Sequence, residues 1–146
     1  MSPNRRVLTV LHLAMLSAVV VYALVLWLLR AEVRGPVPGG PPPRRLEWAF
    51  LAIGTAQYLV ATELGKKLLP SRRGDPERRV RSYFVIRFAA AEAIAIYGLM
   101  LGFLGTSAKW VAALLALSLV ALLLATPTRD AYEDALARAG QAGGGP

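Results

Sequence analysis

The sequence predicts an all-α membrane protein with four transmembrane helices, both termini on the cytoplasmic side and a short amphipathic helix at the C-terminal end. Three observations predict it. Hydrophobic residues make up 55% of the 146 residues and charged ones 18%, giving a mean hydropathy of +0.47. Apolar stretches at 7–29, 48–64, 84–104 and 110–125 each approach the roughly 17–25 residues a helix needs to cross a bilayer. Lys and Arg crowd one set of connections, the usual mark of cytoplasmic loops. Residues 1–146 then form a single membrane domain, multi-pass in the cell (inner) membrane.

The formal charge of +8 is explained by topology. Basic residues flank apolar spans instead of alternating with exposed aromatics on a polar domain, so no nucleic-acid partner is expected. With four spans, Arg5, Arg6, Lys66, Lys67, Arg72, Arg73, Arg78, Arg79, Arg81, Arg129 and Arg138 share one side. Arg30, Arg34, Arg44, Arg45 and Lys109 share the other. The absence of cysteine excludes disulfides, thiolate metal sites and cysteine nucleophiles.

The first stretch follows Asn4-Arg5-Arg6 and resembles a secretory signal at its start, but it is too long for a signal core and lacks a good cleavage site. It reads as the first span. It carries His12, Ser17, Tyr22 and Trp27, and His12, a turn or two from the end, is expected near the interface. Residues 31–46, with Gly35-Pro36, Pro38-Gly39-Gly40 and Pro41-Pro42-Pro43, form a linker that disfavours helix. Helix 2 starts near Trp48 and holds Gly54, Thr55, Gln57, Tyr58, Thr62 and Glu63. Gln57 lies at mid-depth, where an amide seeks a partner on another helix.

The connection 66–81 holds Lys66, Lys67, Arg72, Arg73, Arg78, Arg79 and Arg81 against Asp75 and Glu77. Such a loop attracts anionic lipid head groups, at about 1 kcal/mol per charge, or a protein partner. Helix 3 carries Arg87 and Glu92, five apart and so about 140° apart around the helix, too far to pair. Arg87 is expected to extend to the cytoplasmic interface. A carboxylate deep in a span costs about 2.5–3.5 kcal/mol on insertion scales, which makes Glu92 the residue to explain. Beside it, Ala91, Ala95, Gly98, Gly102 and Gly105 make one smooth face for close helix packing, either within the chain or between copies. Helix 4, nearly all Leu, Ala and Val with Ser118, reads as lipid-facing. Residues 127–139 read as a surface helix with Thr126 as cap, Pro127 in its first turn, and i,i+4 pairs Arg129/Glu133 and Asp134/Arg138. Residues 140–146 read as a disordered tail.

Helix 2, the basic loop and helix 3, about residues 50–105, resemble the hairpin of the ATP synthase c subunit, the proteolipid of the rotor ring. Ala91-Glu92-Ala93-Ile94-Ala95-Ile96-Tyr97-Gly98-Leu99 is similar to the segment around that family's ion-carrying carboxylate, and Arg72-Arg73-Gly74-Asp75-Pro76-Glu77 stands where the family has its polar loop. The resemblance implies that Glu92 binds and releases a proton, with Tyr97 and Gln57 in the surrounding hydrogen-bond network. Sodium fits less well because Ala93 and Ile94 supply no hydroxyl ligand. Helix 2 departs from the family by having Gly54 and then Thr55, Ala56, Gln57, Tyr58 and Leu59 in place of a run of alternate glycines, and helices 1 and 4 have no counterpart in it.

Catalysis is not expected. The lone His12 cannot build a multi-ligand metal site, and there is neither a nucleophile–base pair nor a phosphate-cradling glycine loop, so no catalytic residue, metal or cofactor is assigned. Two functions remain. One is a structural or assembly subunit of a larger membrane complex, associating with anionic lipid and with other subunits or copies of itself. The alternative is a proton-coupling subunit in which Glu92 reversibly binds a proton.

Overall fold

In a computed structural model the described residues, 3–32, 44–71 and 75–140, are helical apart from short turns: α1 (Pro3–Glu32), α2 (Arg44–Ser71), α3 (Pro76–Phe103), α4 (Ala108–Leu124) and α5 (Arg129–Gly140). The described residues contain no strand. Helix α3 is the hub, touching each of the other four. It can be so because its sequence lacks an apolar stripe of its own: Val80, Phe84, Phe88, Ala91, Ile94, Ala95 and Leu101 are buried on several sides at once. Helices α1 and α2 share no substantial interface, each packing on α3 instead.

The small-residue face of α3 is occupied within the chain. Ala91 and Ala95 are fully buried; a Cβ on Gly98 would lie 3.2 Å from Leu114 Cβ of α4, and one on Gly102 would overlap the Leu26 side chain of α1. Internal neighbours therefore cover this face. Gly105, expected to continue it, lies in the turn instead, with φ of 74°. Its N–H bonds Gly102 O at 3.1 Å and the Thr106 N–H bonds Leu101 O at 3.1 Å, the paired bonds of a Schellman stop, which needs a left-handed residue at that point.

Helix α2 runs antiparallel to α3, Gly54 facing Ile94 and Tyr97 and Gly65 facing the Tyr83 ring. It continues to Ser71, and α3 begins at Pro76, so most of the 66–81 connection is helical where a loop was expected. Pro76 at the first turn and Asp75, whose side chain accepts from Glu77 N at 3.1 Å, set that start. Arg72, Arg73 and Gly74 lie outside the described residues, as do 33–43 of the linker and the tail beyond Gly140. Helix α4 is not lipid-facing all round: Val111, Leu114, Ser118, Ala121 and Leu122, at helical spacing, are buried. Its uniform Leu, Ala and Val content hides that face in the sequence. Helix α5 starts later than expected, because the Thr126 hydroxyl donates to Leu123 O at 2.6 Å to close α4, leaving Thr128 Oγ1 to accept from Ala131 N at 3.2 Å. It is also more than a surface helix, since Tyr132, Ala135 and Ala139 are buried and Tyr132 stacks on Phe84 at 6.5 Å. On its outer face Arg129 pairs with Glu133 at 2.7 Å.

Helices α1 and α3 are long and apolar enough to cross a membrane, and α4 with α5, bent by 67° at their junction, make a third if counted as one span. Polar residues keep α2 below that mark. Helix α4 alone has 17 residues, about 26 Å at roughly 1.5 Å per residue. The close α1–α3 approach gives a prediction: Gly102→Val, which drives a branched side chain into Leu26, should destabilise the protein by about 1–3 kcal/mol. Gly140→Ala, with nothing within 4 Å, should leave the unfolding midpoint in detergent unchanged.

Candidate functional site

Helices α1 to α4 each bring a polar group into the bundle, and α3 decides which of them meet. At about 100° per residue, Glu92 and Phe88 turn toward α1, Ile94 and Tyr97 toward α2, and Ala91 and Gly98 toward α4. Helices α1 and α3 run parallel, with His12 beside Phe88 and Leu26 beside Gly102. That register delivers Tyr22 to Glu92: the phenol donates to Glu92 Oε1 at 3.0 Å. Glu92 is half-buried, and among the described residues no basic side chain stands within ion-pair distance of it.

Tyr97 and Gln57, the other two residues expected around the carboxylate, bond to each other, the Tyr97 hydroxyl donating to Gln57 Oε1 at 2.8 Å. They lie on the α2 side of α3, whereas Glu92 lies on the α1 side. The five-residue step from Glu92 to Tyr97 is the physical reason, as it carries them about 140° apart. The structure therefore forms two separate polar pairs, Tyr22–Glu92 and Tyr97–Gln57, instead of one ligand cluster.

A second network lies toward the basic end. Arg87 reaches the end of α4, donating from Nη2 to Leu124 O at 3.0 Å and to the Tyr58 hydroxyl at 3.3 Å, and from Nη1 to the Tyr83 hydroxyl at 3.4 Å. Tyr58 in turn donates to Ala121 O at 3.0 Å. The guanidinium thus satisfies a carbonyl left open at the negative end of α4. Ser118 donates to Ala91 O at 2.7 Å at a fully buried α3–α4 contact. His12 is buried within the bundle, with its ring 5.2 Å from Phe88 and Nε2 3.4 Å from Thr126 Oγ1 just past the end of α4.

Among the described residues no group of three or more His, Cys, Asp or Glu side chains could hold a metal ion. No family model, curated protein or solved structure matches the chain. Its function must be read from the residues themselves. Of the basic cluster, Lys66 pairs with Glu63 at 2.7 Å, while Lys67, Arg78 and Arg81 are exposed. Arg79 Nη1 donates to Leu69 O at 2.9 Å, tying α3 back to the end of α2. Asn4 donates to Glu77, closing α1 onto the same end.

Tyr22 and Tyr58 carry roles that reading one helix at a time does not assign. Matching the depth of polar residues in parallel spans would have pointed to Tyr22, since α1 and α3 start from the same side. The pairing pattern is testable by double-mutant cycles in detergent. Tyr22→Phe with Glu92→Gln, and Gln57→Leu with Tyr97→Phe, should each show coupling of about 0.5–1.5 kcal/mol, and Gln57→Leu with Glu92→Gln should show none.

Proposed function

We propose that the chain is a multi-pass cell-membrane protein in which α1–α4 all span the bilayer, with both termini cytoplasmic, acting as a structural or assembly subunit of a larger membrane complex. Helix α2 is included because it runs the length of α3 and turns Trp48, Ile53, Leu59, Val60 and Leu64 outward, as a lipid-contacting helix would. At the less basic end, Trp48 and Trp110 meet edge to face at 4.7 Å, the aromatic type favoured at a membrane interface.

The observation that carries the structural reading is the separation of Glu92 from Tyr97 and Gln57. The rotor-type carrier that the resemblance implies would gather those groups around its carboxylate and leave a small-residue face free for packing between copies. Here the groups pair apart, and α4 and α1 fill the face. Proton binding at Glu92 is the second reading, favoured by one fact: no cation within the described residues neutralises it. The exposed Lys67, Arg78 and Arg81 suit anionic lipid head groups at the cytoplasmic surface.

Carbodiimide labelling of native membranes, read by mass spectrometry with Glu63 as the control, separates the two. Only a protonated carboxyl reacts efficiently, and the structural reading expects Glu92 to label no faster than the ion-paired Glu63. It also expects Glu92→Gln to keep its membrane assembly. Labelling of Glu92 near neutral pH, ahead of Glu63, would favour the proton carrier and sink the structural reading.

A further inference from the structure

Three neighbours cover only part of α3. Helix α4 takes the side of Ala91 and Gly98, α1 that of Phe88 and Glu92, and α2 that of Ile94 and Tyr97. The remaining side carries Ser82, Val85, Ile86, Ala89, Ile96, Met100 and Phe103, all exposed and repeating at helical spacing. Among the described residues nothing covers this stripe. Since α1 and α2 stand apart on either side of it, it forms the floor of a groove along α3.

The floor and walls of this groove are not those of a plain lipid-facing surface. At the depth of Glu92 the floor narrows to Ala89 and Ala93, four residues apart, which lets another helix backbone approach closely. On the α1 wall stands Glu92, with Oε1 held by Tyr22 and no bond to its other oxygen among the described residues. On the α2 wall stands the Tyr97–Gln57 pair, with Gln57 exposed. Roughly 17 Å of helix separates Glu92 from the end of α3 at Phe103, at about 1.5 Å per residue. That puts the half-satisfied carboxylate well away from that end of α3.

We infer that this groove receives a transmembrane helix of a different membrane protein, one bearing a lysine or arginine at mid-span that pairs with Glu92. The inference rests on the structural-subunit reading and names the chemistry of its partner. Charge complementarity selects the occupant. Lipid chains would leave the second carboxylate oxygen without a donor. A second copy of this chain has no suitable cation at that depth: Arg87 is turned to Tyr58 and Leu124 O on the far side of α3, and His12 is 5% exposed. The remaining basic residues of the chain lie toward helix ends or connections.

The chain has no cysteine, so a dye can be placed at will: at Ile96→Cys in the groove, or at Leu119→Cys on the outer side of α4 as control. The full chain is reconstituted in phosphatidylcholine vesicles with a synthetic leucine–alanine transmembrane peptide carrying an acceptor dye and one central lysine, or leucine in its place. Energy transfer from Ile96→Cys should appear at about tenfold lower peptide density for the lysine peptide than for the leucine peptide. It should be weak from Leu119→Cys, and Glu92→Gln, which keeps an oxygen for Tyr22, should erase the lysine advantage. Equal response to both peptides, a lysine preference that survives Glu92→Gln, or self-association of the chain through the Ile96 face would each overturn the inference. Any of these, with Glu92 labelled no faster than Glu63 in native membranes, leaves the structural reading standing; faster labelling of Glu92 removes that reading whatever the peptides do.

Discussion

The close approach of α4 and α1 to α3 is the constraint on which the remaining packing depends. Within a bilayer, apolar side chains gain little by leaving lipid for one another, so helices associate through tight van der Waals contact and buried hydrogen bonds. Ala91, Gly98 and Gly102 permit that contact, and the Ser118 hydroxyl on Ala91 O adds a bond that no lipid chain could replace. Once α4 lies there, its open carbonyl end falls beside Arg87, and Tyr58 of α2 is drawn to Ala121 O. One seam thus brings four polar groups from three helices into register.

The same seam divides the polar residues by purpose. Arg87, Tyr58, Tyr83 and Ser118 face inward and bond mainly to helix carbonyls and to each other, an arrangement that holds helices together. Glu92 and Gln57 face the two edges of the uncovered side of α3. The charge that the bundle needs for itself is a cation at a helix terminus. The charge it leaves half-satisfied is an anion at mid-depth.

The elements were legible in the sequence because apolar length and helix punctuation are local. Gly105 after Leu104 marks an end that the structure keeps, although it marks a turn and not a packing face; Asp75-Pro76 marks the start of α3, a local signal that the reading of 66–81 as a loop passed over. What was not legible was orientation between helices. Glu92 and Tyr97 read as one site through the resemblance to the rotor proteolipid, but the helical repeat sends them to opposite walls. Tyr22, far away in sequence, is the residue that reaches the carboxylate. Helix α4 shows the same limit from the other direction: a run of Leu, Ala and Val contains no contrast from which a buried face could be read, and only the α3 surface selects Leu114 and Leu122.

The lack of a substantial interface between α1 and α2 has a consequence for biogenesis. During synthesis the first two helices emerge without each other as a partner, and the surfaces they bury in the finished protein exist only after α3 has followed. Folding is therefore gated by the third helix: until it arrives, Tyr22 has no carboxylate and Gln57 no phenol. A ribosome paused before α3 would leave two solitary helices whose polar groups have no partner.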